Sequence, residues 1–110
     1  MRSSLVLLAI CLLWPAPAFS QEIVSFISGK QLYDECSSSE GDPDRRHCLG
    51  YIAGMSDALH SAKLVCNSAD VTIGQTVALI MSFYRAHPDE QNYPASDLGY
   101  AALRGVFPCK

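Results

Sequence analysis

From Gly29 onward, apolar residues recur along the chain at steps of three and four, and no stretch alternates polar with apolar. That period belongs to helices burying one face, not to half-buried strands. Four segments carry it. The first runs from about Gly29 to Cys36, with Ser28 placed to cap it. A polar loop, Ser37 to Asp42, separates it from the second, where Asp42 stands at the cap, Pro43 fits the first turn and Asp44 suits the positive helix end. Cys48, Tyr51, Ile52, Met55, Leu59 and Ala62 then form one apolar face, predicting a helix to about Leu64.

Cys66 to Asp70 breaks this pattern, and Thr72-Ile73-Gly74-Gln75 has the form of a capping box opening a third helix. Val77, Ile80, Met81 and Tyr84 make its stripe, widened by Leu79 and Phe83. His87-Pro88 ends it, because proline disfavours helical geometry in the residue before it. Asp89 to Tyr93 then reads as an exposed polar turn. Pro94 is expected at the first position of a fourth helix, made amphipathic by Leu98, Ala101, Ala102, Leu103 and Val106 and closed by Phe107-Pro108-Cys109. The expected fold is all-α, a small four-helix domain.

The residues before this domain follow a different plan. Arg2 gives a short positive start, Leu5 to Trp14 is an uncharged apolar run, and Ala16, Ala18 and Ser20 supply small residues before a cleavage point. Residues 1–20 are therefore read as a cleaved signal peptide and 21–110 as the mature domain, with cleavage after Ser20 and a cut after Ala18 as the neighbouring alternative. A spanning helix needs about 20 apolar residues, and Pro15 and Pro17 interrupt this run early, so no stable membrane anchor is expected. Acylation at Cys11 is not expected either, since Ile10 precedes it where a small residue is wanted.

Export gives the cysteines their meaning. With Cys11 removed, Cys36, Cys48, Cys66 and Cys109 remain, an even set in a short exported chain, which reads as two disulfides. Three pairings are open. Cys36–Cys48 with Cys66–Cys109 is the expected one: the first brackets one polar loop and the second ties back the chain end. Loop-closure entropy assigns these bridges about 3 and about 4 kcal/mol, a large share for a domain too small to bury much surface. Metal binding is not expected, because no C-x2-C or H-x3-H spacing occurs.

Charge and motifs narrow the function. Loss of Arg2 leaves seven basic residues against eleven acidic ones, with no basic stripe to track phosphates, so nucleic acid is not an expected partner. No free thiol remains for a Cys–His nucleophile, and His47, His60 and His87 lie in no pattern such as G-x-S-x-G or H-E-x-x-H. The chain is thus read as a non-enzyme without cofactors. Gly50 and Gly54 sit inside the second helix, where each glycine costs about 1 kcal/mol against alanine. The offsetting gain is expected to be close approach of another helix of the same chain. Asp57, three residues after Gly54, is expected near that glycine face, as a surface carboxylate or a structural bond to a neighbouring helix end.

These residues also form an ordered set. Cys36, Cys48-Leu49-Gly50-Tyr51-Ile52-Ala53-Gly54, Asp57, Cys66, Val71-Thr72, Gln75, Tyr84, His87-Pro88, Ala95, Ala102-Leu103 and Phe107-Pro108-Cys109 together resemble the Rap/Tai immunity-protein family from about Gly29 to Cys109. The resemblance implies a small helical periplasmic protein, often a homodimer. Characterised members bind peptidoglycan amidases delivered by type VI secretion, block their active sites and so protect the cell. Those amidases resemble cysteine peptidases, with Cys and His in a cleft. Carried onto this chain, the segment containing His87, Asp89, Glu90, Gln91, Asn92 and Tyr93 becomes the candidate cleft-inserting turn, with Tyr93 as an anchor. Gly50, Tyr51, Gly54 and Asp57 become a structural motif. The competing reading is a periplasmic chaperone or adaptor, a helical binding module with no effector partner. N-terminal sequencing of the exported protein is expected to begin at Gln21; an N-terminus at Met1 would show that the leader is retained.

Overall fold

The structure, a computed structural model, describes residues 25–110; the expected signal peptide and its cleavage point lie outside the described residues. Four helices and one short 3-10 turn account for the regular structure, with no strand among the described residues beyond an isolated bridge between Ser28 and Pro94. The helices are α1 (Gly29–Cys36), α2 (Pro43–Ser61), α3 (Ile73–Ala86) and α4 (Ala95–Val106), with the 3-10 turn at Pro88–Glu90. Their inward faces meet in one core whose fully buried members include Leu32, Ile52, Val65, Ile80, Tyr84 and Leu103.

Three helix starts are made by the residues that the sequence offers. The Ser28 hydroxyl accepts from the Gln31 amide at 3.2 Å, and the Asp42 carboxylate from the Asp44 amide at 2.8 Å. Thr72 and Gln75 form the reciprocal box, with amide-to-side-chain distances of 3.2 and 2.9 Å. Such caps satisfy amides that a helix start leaves free. The fourth start differs from expectation. Pro94 is the cap of α4, not its first residue, and has no side-chain hydrogen bond to offer. The amide of Ala95 donates instead to the carbonyl of Ile27 at 3.0 Å, so the chain entering α1 closes the start of α4.

The end of α2 also differs. The helix stops at Ser61, short of Leu64, because Lys63 takes the left-handed conformation at φ 60°. Lys63 N–H donates to the His60 carbonyl and Leu64 N–H to the Leu59 carbonyl, both at 3.0 Å, the paired bonds of a Schellman close. Glycine usually fills that position; a lysine there hides the stop from a sequence reading.

Both disulfides have the expected pairing, Cys36–Cys48 and Cys66–Cys109. The first joins the end of α1 to the first turns of α2, where the Arg45 guanidinium also donates to the Cys36 carbonyl and His47 Nδ1 lies 2.5 Å from Glu35 Oε2. The second fastens the α2–α3 loop to the chain end, beside a Cys66 amide that donates to the Phe107 carbonyl at 2.9 Å.

The close helix approach exists, but not at the expected glycines. A Cβ on Gly50 or Gly54 would meet nothing within 4 Å, whereas one on Gly99 of α4 would lie 2.4 Å from the Met55 methyl carbon. Gly50 and Gly54 flank the buried face of α2 on its solvent side, so their missing side chains thin the surface instead of admitting α4. Two outcomes follow from this geometry. Lys63→Gly is expected to raise stability by about 1 kcal/mol, since a left-handed L-residue costs about that much, and thermal denaturation reads it directly. Replacing Cys66 and Cys109 by serine should cost about 4 kcal/mol through loop entropy; an unchanged denaturation midpoint would contradict a stabilising role for the bridge.

Candidate functional site

The segment between α3 and α4 is built by two anchors, Tyr84 and the start of α1. Tyr84 is fully buried, and its hydroxyl donates to the Ala95 carbonyl at 2.9 Å, fixing the first residue of α4. Burial, with a smaller repulsive contribution from Tyr51, pushes the Tyr84 phenol pKa well above its ordinary value. The backbone carbonyl of the same residue accepts from the His87 amide and from Gln91 Nε2, each at 3.2 Å. One tyrosine thus holds both ends of the connection, by its ring on one side and its backbone on the other.

The start of α1 supplies the second anchor. Its first two amides have no carbonyl within the helix to reach. Gly29 N–H donates to the Tyr93 carbonyl at 2.9 Å, and Lys30 N–H to the Gln91 carbonyl at 2.8 Å. The turn lies so close to α1 that a Cβ on Gly29 would come within 3.2 Å of the Gln91 oxygen and 2.3 Å of a Leu98 methyl. A side chain there would force Leu98 or the Gln91 carbonyl to give way.

This clamp sorts the candidate residues. Asp89, Asn92 and Tyr93 are exposed, Tyr93 at 59 %. His87, Glu90 and Gln91 are half-buried, so the segment is not the uniformly exposed turn expected from its polarity. Its backbone and one side chain, Gln91, are spent on attachment. His87 caps α3 with its ring stacked on Phe83 at a 4.0 Å centroid distance, and its Nδ1 lies 2.8 Å from the Phe83 carbonyl, an acceptor. Nδ1–H is therefore the donor. A shallow cleft of about 320 Å³ runs beside it, lined by Leu79, Phe83, Ala102 and Val106 among others.

One exposed aromatic residue ahead of α1 was passed over in the sequence reading. Phe26, one residue before the Ile27 that closes α4, is 95 % exposed. An apolar residue outside any helical period gives no signal of its own.

The motif residues of α2 fall on two separate surfaces. Gly50, Tyr51 and Gly54 border an apolar groove of about 480 Å³ with Met55, Ala58, Leu59 and Ser96. Burial raises the Tyr51 phenol pKa against the opposing hydrogen bond to Ser96. Asp57 does not line that groove. It is exposed and borders a polar niche at the C-terminal half of the helix, with Ser56 and His60. Among the described residues, no three His, Cys, Asp or Glu side chains gather in a way that could hold a metal ion, and no helix is long and apolar enough to cross a membrane.

The geometry defines a class: a disulfide-braced helical module that presents a pre-shaped turn. Comparison with protein families gives its lineage. Residues 28–109 match the model of the Rap1a immunity proteins, and the chain belongs to that family. Comparisons with curated proteins and with solved structures give no match. Gly29→Ala is expected to crowd Leu98 and loosen the turn at a cost of about 1–3 kcal/mol, read as a lower melting temperature with faster amide exchange at Gln91 and Tyr93. Unchanged exchange would mean that the turn does not depend on its contact with α1.

Proposed function

We propose that this protein is exported to the periplasm and there binds a peptidoglycan amidase delivered by type VI secretion, blocking its cleft with the His87–Tyr93 turn. Membership of the immunity family supports a protein partner. The observation that carries the more specific reading is the clamp: the turn is held from both ends before any partner arrives. A loop already in its bound shape loses less conformational entropy on docking, which leaves more of the contact energy for affinity. Asp89 and Asn92 present polar groups to a cleft, while Tyr93 and Phe26 offer aromatic area of the kind that dominates interface energetics. Inhibition works by occlusion, without catalysis by the inhibitor.

The homodimer belongs to the same reading. The groove along α2 supports it, since Gly50 and Gly54 place no side chain between two approaching backbones. Leucine at both positions is expected to leave the melting temperature near that of the parent while shifting the protein from dimer to monomer in light scattering. A parent that is already monomeric would remove the dimer from the proposal.

The inhibitor reading is tested by adding the purified protein to an amidase digesting peptidoglycan. Near-stoichiometric inhibition is expected. Combined replacement of Asp89, Asn92 and Tyr93 by alanine should weaken it by at least about 30-fold, the equivalent of one strong contact residue, with the fold intact because all three are exposed. Equal inhibition by parent and variant would dismiss the turn, and absence of inhibition by the parent across such amidases would dismiss the amidase.

A further inference from the structure

The two disulfides meet solvent differently. Cys36 and Cys48 are buried, at 3 % and 0 % exposure, and both belong to the core. Cys66 is exposed and Cys109 half-buried. Exchange of a disulfide begins when a thiolate attacks one of its sulfurs, so access decides which bridge reacts. The folded molecule offers the second bridge and withholds the first.

The backbone around the second bridge is held without it. Val65, one residue before Cys66, is buried in the core. Phe107, two residues before Cys109, packs against the same core, and its amide donates to the Leu103 carbonyl at 2.8 Å. The Cys66 amide donates to the Phe107 carbonyl at 2.9 Å, a non-covalent tie across the two segments. Opening the bridge therefore leaves its two thiols on segments that are still joined. Re-closure is then intramolecular, with the high effective concentration such a step has. Cys36 and Cys48 have no such state, because a reagent reaches them only when α1 parts from α2.

The second bridge also closes the larger loop. Its sequence separation of 43, against 12 for the first, takes in α3, the turn and α4. Opening it releases the covalent closure of the segment that bears the candidate site, while the bonds from α1 and Tyr84 to that site stay in place.

We propose that Cys66–Cys109 is a thiol–disulfide exchange site, acted on in the folded protein by a dithiol oxidoreductase, and that Cys36–Cys48 is permanent. A thiolate of the dithiol attacks Cys66 Sγ, the bond between the two cysteines breaks, and Cys109 Sγ leaves as a thiolate. The second thiolate of the partner then attacks its own sulfur in the mixed disulfide, and Cys66 Sγ leaves. The partner ends oxidised to a disulfide, this protein reduced by two electrons, and the two protons of the dithiol reside on Cys66 and Cys109. A dithiol is the partner class because it completes both displacements alone, whereas a monothiol needs a second molecule. The site does not depend on which protein the turn engages.

The test mixes the oxidised protein with a reduced thioredoxin-type protein whose second C-x-x-C cysteine is alanine, so that a mixed disulfide persists. A covalent adduct is expected, and peptide mass mapping should place it on Cys66. With the intact dithiol protein, alkylation under native conditions should modify Cys66 and Cys109 at least about 100-fold faster than Cys36 and Cys48, which react only through opening of the core. The protein reduced at the second bridge should keep its helical circular dichroism and melt at least about 10 °C lower than the oxidised one. An adduct on Cys36 or Cys48, no adduct at all, or reduction of both bridges together would overturn the proposal. Loss of the helical signal as the second bridge opens would overturn it as well, since the exchange would then belong to the unfolded chain.

Discussion

A helix start leaves backbone amides without partners, and this protein spends those of α1 on its own surface turn. The Gly29 and Lys30 amides hold the Tyr93 and Gln91 carbonyls, and the Ala95 amide answers with a bond to Ile27. Three hydrogen bonds therefore knit the entry of α1 to the entry of α4, and the turn between α3 and α4 has little freedom left. Tyr84 adds the fourth point from below, its ring inside the core and its hydroxyl on Ala95. The position of the candidate site is a consequence of capping.

The two disulfides act at the margins of this arrangement. Cys36–Cys48 keeps the far end of α1 against α2, so that α1 is held at both ends: covalently at its C-terminus, by the turn at its N-terminus. Cys66–Cys109 does the same for the chain end after α4. In a domain with so small a core, loss of either tether would be felt where the helices are only half-buried. The turn is fastened by hydrogen bonds to α1, whose far end is tethered in turn, and the immunity role proposed for it draws on that attachment.

Helix starts were legible in the sequence wherever a side chain makes them: Ser28, Asp42 and the Thr72–Gln75 box fall where capping chemistry puts them. Where the backbone does the work, the sequence is silent. Pro94 looks like a first helical residue because proline commonly is one, and only the fold brings Ile27 to close that helix. Lys63 conceals the end of α2 by adopting a conformation that its side chain disfavours. The glycines mislead for a similar reason. Spacing alone cannot say which side of the apolar face Gly50 and Gly54 occupy, and a shift of one residue around the helix turns a packing contact into open surface. Gly99 and Gly29, with no pattern to advertise them, carry the close approaches instead. At the candidate site, polarity identified the turn and its exposed members, but the burial of Glu90 and Gln91 depends on amides some sixty residues earlier in the chain.

In this structure α1 builds the turn with no partner present. Hydrogen exchange at the Gly29 and Lys30 amides in the free protein tests it most directly, because both would be open to solvent if the turn stood away from α1. Protection at these two positions is expected to approach that of α3 core amides, with little change when a partner binds. Rapid exchange in the free protein, with protection gained only in a complex, would show instead that the partner shapes the turn.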